Sequence, residues 1–287
     1  MRPSPLHRAD PTHDPHHLWG VMLAGGMETR RRRQLPCGRQ PAGLAPMTRT
    51  LQRASRLIAT ERMVTVGARG RSVSYDTTAL GDSAIRLVIQ PAWRGSAAET
   101  FLPVLKIAAA DPEAVVVLFP GGDATDREGR VMTLLADAVA AVTARPELGI
   151  VLGDAPLGPD AASDLIEPGA LIEGLERYAV RAVRRFLPRP SSAQFVTLGG
   201  SDVLVNSRVV IVKARTLIAL GYRYLPDVLE AFEPLLTAFG TPEESLLCEA
   251  LYEQMPYASI THALFARPGD VAVLSAAQVR RWRDLAS

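Results

Sequence analysis

An apolar run, Leu18 to Leu23, passes through Ala24 into the pair Gly25 and Gly26, and Thr29 then leads into four consecutive arginines, Arg30 to Arg33. A strand that breaks into paired glycines presents backbone N–H groups that no sheet partner uses. Without a Cβ in the way, such a backbone can approach a ligand closely. Polyphosphate binding is the chemistry this combination suits. The stretch is not a Walker loop, because the GxxxxGK[ST] spacing is missing, and no GxGxxG dinucleotide fingerprint is present. The arginines either add cations near a phosphate or form a solvated charge run, since consecutive side chains point in all directions. Lysine is scarce: Lys106 and Lys213 are the two in the chain, and both read as surface residues.

Other chemistry-bearing residues are less suggestive. His7, His13, His16 and His17 stand near Asp10 and Asp14, but their proline-rich, polar surroundings read as a solvated tail. Cys37 and Cys248 lie far apart and outside any CxxC pattern, which favours reduced thiols over a zinc site or a disulfide. The net charge of +2 argues against a general nucleic-acid binder. No stretch approaches the roughly 20 apolar residues of a membrane helix, and the N-terminus has no apolar signal core. A cytoplasmic protein is expected, with no membrane and no nucleic acid among its partners.

The elements that must position these residues alternate. Leu18 to Leu23, "RMVTVG", "AIRLVIQP", "AVVVLFPGGD" and "LGIVLGDAP" read as strands. Between them, "TRTLQRASRLIA", Ser96 to Ala110 and Arg130 to Ala144 carry helical periodicity. Later, "YAVRAVRRFLPRP" reads as a strand and "VLVNSRVVIVKARTLIALG" as a strand running into a helix. Leu225 to Phe239 and Pro242 to Met255 follow as helices, and "DVAVLS" as a last strand. Strand and helix in alternation predict an α/β fold whose mostly parallel central sheet is covered by helices on both faces. Ligands in such sheets bind beyond the carboxyl ends of the strands, so the loops after Leu23, Ile89, Phe119 and Leu152 are the expected site. A tail over 1–17 and a single domain over 18–287, its sugar-binding half at roughly 160–287, complete the expected organisation.

The order of motifs is more specific than any one of them. "VMLAGGMETR", "QPAWRGSAAE", "VLFPGGDA", "IEPG", "VRRFLPRP", "VNS" and "WRDLA" follow one another as in the sugar-1-phosphate nucleotidylyltransferases. The chain most resembles the bacterial mannose-1-phosphate guanylyltransferases, from about Leu18 to its end. That resemblance implies a Rossmann-like nucleotidyltransferase fold that makes GDP-mannose and pyrophosphate from GTP and mannose 1-phosphate. Its expected ligands are GTP or another nucleotide and a sugar 1-phosphate, its cofactor is Mg2+, and a homodimer is left open.

On the same resemblance, Leu23, Ala24, Gly25, Gly26 and Thr29 belong to the nucleotide loop, with Gln90, Arg94 and Gly95 of the QPxNRGTAP-like segment. Arg30, Arg39 and Arg189 take the catalytic, phosphate-contacting places. Glu167 and Asn206 take the sugar-binding places, and Asp123 and Asp284 the metal-binding ones. Several positions depart from the family pattern. Glu28 stands where the third glycine of the first loop belongs. Trp93 replaces an asparagine that reads the base, so that it either stacks on a purine or packs as an ordinary aromatic. Gly122 falls where the metal aspartate belongs, with Asp123 one residue on. Ser163, Asp164 and Leu165 replace a tyrosine, a glycine and a tryptophan; Pro188 replaces a glutamate, Arg189 a lysine and Val205 a tryptophan. These departures raise a second reading, a catalytically impaired relative that binds a nucleotide sugar or a partner subunit in a regulatory or structural role.

Overall fold

The structure is a computed structural model that describes residues 17–24, 46–70, 85–120, 134–156, 164–197, 202–265, 267 and 269–275. Its strands are β1 (Leu18–Leu23), β2 (Met63–Ala68), β3 (Arg86–Gln90), β4 (Val115–Pro120), β5 (Gly149–Asp154), β6 (Leu165–Leu171), β7 (Arg181–Leu187), β8 (Leu204–Lys213) and β9 (Val271–Ser275). The helices, in chain order, are α1 (Pro46–Ala54), α2 (Gly95–Ala110), α3 (Leu135–Ala144), α4 (Ser192–Thr197), α5 (Ala214–Tyr224), α6 (Pro226–Leu236) and α7 (Glu244–Gln254).

Among the described residues, all nine strands join one sheet in the order β3-β2-β1-β4-β8-β5-β9-β7-β6, and the start of β6 also pairs with β8. Pairings among β1, β2, β3 and β4 are parallel, as is that of β5 with β9. β8 runs antiparallel to both β4 and β5, and β7 antiparallel to β9 and β6. The sheet is thus mixed: every strand except β7 and β8 points the same way.

Apolar residues on both faces explain why these strands are buried. In β4, Val116 and Leu118 join a core with Phe101, Leu217 and Phe232, on the side of α2, α5 and α6. Val115, Val117 and Phe119 join a second core with Leu51, Leu135, Ala138 and Val142, on the side of α1 and α3. A side-chain period of two residues sends successive valines into opposite layers. The edges differ: Leu87 and Ile89 of β3 are exposed, and β6 tolerates Pro168 at the far edge, where the pairing with β7 slips.

Two expectations need revising. Lys213 is not a surface residue: its stem is buried, and its Nζ donates to the Glu113 carbonyl at 2.7 Å and to a Glu113 carboxylate oxygen at 3.2 Å. His17, at the last position read as tail, is held to the fold by a 2.7 Å contact between its Nδ1 and the Asp111 carboxylate.

Candidate functional site

At the carboxyl ends of the parallel strands lies a cavity of about 340 Å³. Leu23 from the end of β1 and Leu118 and Pro120 from β4 form its floor, and Trp93, Ser96 and Glu99 at the start of α2 form one wall. Because β8 runs the other way, its amino-terminal half reaches the same place and contributes Asn206, Arg208 and Val210. Asp164 and Arg189 line it beside Asn206, as do Ser259, Ile260, Thr261 and Phe265 from the chain that follows α7.

One chain of hydrogen bonds shapes the polar wall. Asp164 Oδ1 accepts the backbone N–H of Arg189 at 3.2 Å, and the Asp164 carbonyl accepts the N–H of Asn206 at 2.9 Å. Asn206 Oδ1 in turn accepts the N–H of Arg208 at 2.8 Å. Next to it, Ser207 Oγ donates to the Leu152 carbonyl at 2.6 Å and accepts the N–H of Val209 at 3.1 Å. These side-chain bonds to backbone two residues on replace ladder bonds. The β5–β8 register accordingly slips between Val151 and Gly153. The outcome is a bulge that turns Arg208 to φ 63°, while Arg189 stands at φ 40°.

The loop between β3 and α2 is locked differently. Arg94 Nε donates to the Tyr252 carbonyl at 2.8 Å, and its Nη2 to the Glu253 carbonyl at 3.0 Å, capping the end of α7. Gly95 has φ 89° and packs against the Ala258 backbone. Gln90 is fully buried, with its Oε1 accepting the Tyr252 hydroxyl at 3.1 Å. Burial above all, then the charges of Cys248 and Glu99, push the Tyr252 phenol upward, so it stays protonated as the donor. Trp93 meets Tyr257 edge to face, with centroids 5.3 Å apart.

Of the residues expected from the sequence, Leu23, Arg189 and Asn206 meet at the cavity. Gln90, Arg94 and Gly95 form its supporting frame. Glu167 is elsewhere occupied, in ion pairs with Arg184 at 3.1 Å and Arg185 at 2.9 Å. Ala24 extends β1, its N–H donating to the Val66 carbonyl at 3.1 Å. Gly25, Gly26, Thr29, Arg30, Arg39, Asp123 and Asp284 lie outside the described residues. Sequence reasoning missed Asp164 and Arg208 as cavity residues. The one signal for Asp164 was a polar residue replacing a glycine beside the "LIEPG" stretch. Among the described residues, no group of three or more His, Cys, Asp or Glu side chains is placed to hold a metal ion. Nor is any described helix long and apolar enough to cross a membrane.

No protein-family model and no curated protein sequence matches the chain. Solved structures do. A crystal structure of mannose-1-phosphate geranyltransferase from Thermus thermophilus superposes with a TM-score of 0.72 at 24% identity, covering 91% of this chain and 74% of that one. One of mannose-6-phosphate isomerase from Helicobacter pylori gives a TM-score of 0.64 at 12% identity, covering 91% of this chain and 97% of that one. The chain therefore shares the α/β fold of these structures, a large sheet covered by helices as the alternation of strands and helices implied.

Proposed function

We propose that the cavity binds a sugar 1-phosphate and a nucleotide, and that the chain is a sugar-1-phosphate nucleotidyltransferase of the mannose-1-phosphate guanylyltransferase type. The observation that carries this reading is the meeting of Arg189, Asp164 and Asn206 in one cavity at the carboxyl ends of the strands. A guanidinium there suits a phosphate, while carboxylate and amide groups suit sugar hydroxyls. In the reaction, a phosphate oxygen of mannose 1-phosphate attacks the α-phosphorus of GTP. The new P–O bond forms as the bond to the β-phosphate breaks, and pyrophosphate leaves. Such a transfer needs positioning and charge stabilisation more than a covalent nucleophile. Arg189 holds the attacking phosphate, the turn behind it fixed by Asp164, and the Trp93 indole offers a face for the base.

Magnesium, with Asp123 and Asp284 as its carboxylates, belongs to the same reading, because the ion takes one or two carboxylates together with phosphate oxygens and water. The described wall does not itself form a metal cluster, and the steps above are carried by the protein's own residues.

The second reading, a relative that binds a nucleotide sugar without turnover, is favoured by one observation. Gln90, Arg94 and Glu167, which the resemblance assigns to ligands, spend their polar groups on Tyr252, on two carbonyls and on two arginines. Titration calorimetry with GTP, mannose 1-phosphate and GDP-mannose, with and without Mg2+, followed by a pyrophosphate-release assay, separates the two. Pyrophosphate release supports the enzyme. GDP-mannose binding without release supports the second reading, and absence of binding by all three sinks both.

A further inference from the structure

Arg208 takes no part in the reaction above, yet it occupies a backbone conformation that suits it poorly. At φ 63° it sits in the left-handed region, where a Cβ crowds the backbone and glycine is the natural occupant. Arg189, at φ 40°, shares this property, and both line the same cavity. Non-glycine residues held this way persist where the surroundings over-determine them, and they cluster at ligand sites. Here the surroundings are explicit. Asp164 holds the Arg189 N–H through its carboxylate and the Asn206 N–H through its carbonyl, and Asn206 holds the Arg208 N–H. A single chain of bonds thus fixes both arginines.

The side chains are as informative as the backbones. Both arginines are exposed, and neither guanidinium has an ion-pair or hydrogen-bond partner among the described residues. The neighbouring arginines do: Arg94 caps α7, Arg181 donates to the Gly169 carbonyl at 2.7 Å, and Arg184 and Arg185 hold Glu167. Two unspent guanidiniums on one cavity wall present two forks of N–H donors and a charge that balances a phosphate dianion.

We propose that Arg208 is a second phosphate-binding residue, which with Arg189 clamps the phosphate monoester of a phosphorylated sugar. This rests on the reading of the cavity as a sugar-phosphate site and adds to it a specificity for the dianion over the free sugar. The strained bulge of β8 is then retained because it aims a cation into the cavity, not because the sheet needs it.

Two substitutions test this by calorimetry and thermal melting, with mannose 1-phosphate, mannose and inorganic phosphate as probes. In R208G the backbone conformation becomes unstrained, so Tm rises, while affinity for mannose 1-phosphate falls about tenfold or more, the usual cost of a lost charge-assisted contact. R208Q keeps the strain and loses the charge; its affinity falls alike and its Tm stays near that of the parent. Equal affinity in the parent, R208G and R208Q overturns the proposal while leaving the sugar-phosphate site standing. A lowered Tm in R208G overturns it as well, since that marks Arg208 as a structural residue. If the parent binds inorganic phosphate in an Arg208-dependent way but not mannose 1-phosphate, the clamp stands and the sugar reading falls. If it binds neither, both fall.

Discussion

The Cα of Gly95 faces the carbonyl of Ala258 so closely that a Cβ built on Gly95 would stand 2.3 Å from the Ala258 oxygen. The neighbouring Ala97 N–H donates to that same oxygen at 3.1 Å. The start of α2 is thereby bonded to the segment that brings Ser259 and Ile260 to the cavity. With φ 89° added to the clash, a side chain at Gly95 is strained twice over. G95A should cost about 2–4 kcal/mol, read as a lower urea midpoint with an unchanged m-value. A midpoint within error of the parent would mean that the segment around Ala258 yields easily.

Gln90 and Tyr252 form a buried pair whose polar atoms depend on each other. Y252F keeps the ring against Phe232 but leaves the Gln90 Oε1 without this donor. The expected loss is about 1–2 kcal/mol, measured by equilibrium denaturation. The double variant Y252F/Q90L, which removes both polar groups, should recover part of it. Additive losses would show that the pair is not coupled.

Asp111 gives the fold an acid-side dependence. Burial favours its neutral form, but hydrogen bonds from Trp19 and His17 and the Glu113 N–H outweigh this and hold the carboxyl below its ordinary value. A depressed carboxyl contributes stability that is complete above the unfolded value of about 4 and is lost as pH falls through the folded one. Urea midpoints of the parent should therefore drop below about pH 4 more steeply than those of D111N. Parallel pH profiles would show that Asp111 carries none of this dependence.

Asp164 positions the polar wall through the turn it holds at Arg189. D164N retains an oxygen for the Arg189 N–H, whereas D164A removes it and frees the turn. Affinity for mannose 1-phosphate should fall about tenfold in D164A, the equivalent of about 1.4 kcal/mol, and less in D164N. Equal loss in the two variants would point to the negative charge rather than the turn.

Much of the fold was legible because its strands are long apolar runs and its helices carry clean periodicity. β1 begins and ends where "LWGVML" does, and α2 follows its Gly95–Ser96 start. The direction of β8 was not legible. A run such as Val209 to Val212, buried on both faces, reads identically in a parallel and an antiparallel strand. β6 escaped for another reason: Pro168 and Gly169 interrupt any alternation, and edge pairing with β7 supplies what the pattern lacks. Motif order singles out Arg189 and Asn206, which the fold brings to one cavity, but not Arg208. Its left-handed backbone is imposed by Asn206 and Ser207 through hydrogen bonds, and arginine itself gives no sign of that conformation. The motifs assign Gln90 and Arg94 to a nucleotide, while the partners that occupy them, on α7, lie more than a hundred residues away.

The place of β8 in the sheet also bears on how the chain is made. Ribosomes deliver the amino-terminal strands first, and β1 to β4 can pair as soon as they emerge. The strand that joins them to β5 is complete only at Lys213. Until then the nascent protein carries the β3-β2-β1-β4 half-sheet with an unpaired apolar edge at β4, a lone β5 whose neighbours β8 and β9 both come later, and the β6–β7 pair. Such edges invite pairing with other chains, and contacts so distant in sequence form slowly. Expression at lowered temperature, or with chaperones that shield exposed strands, should therefore raise the soluble yield, because the interval being protected is the wait for the middle of the sheet.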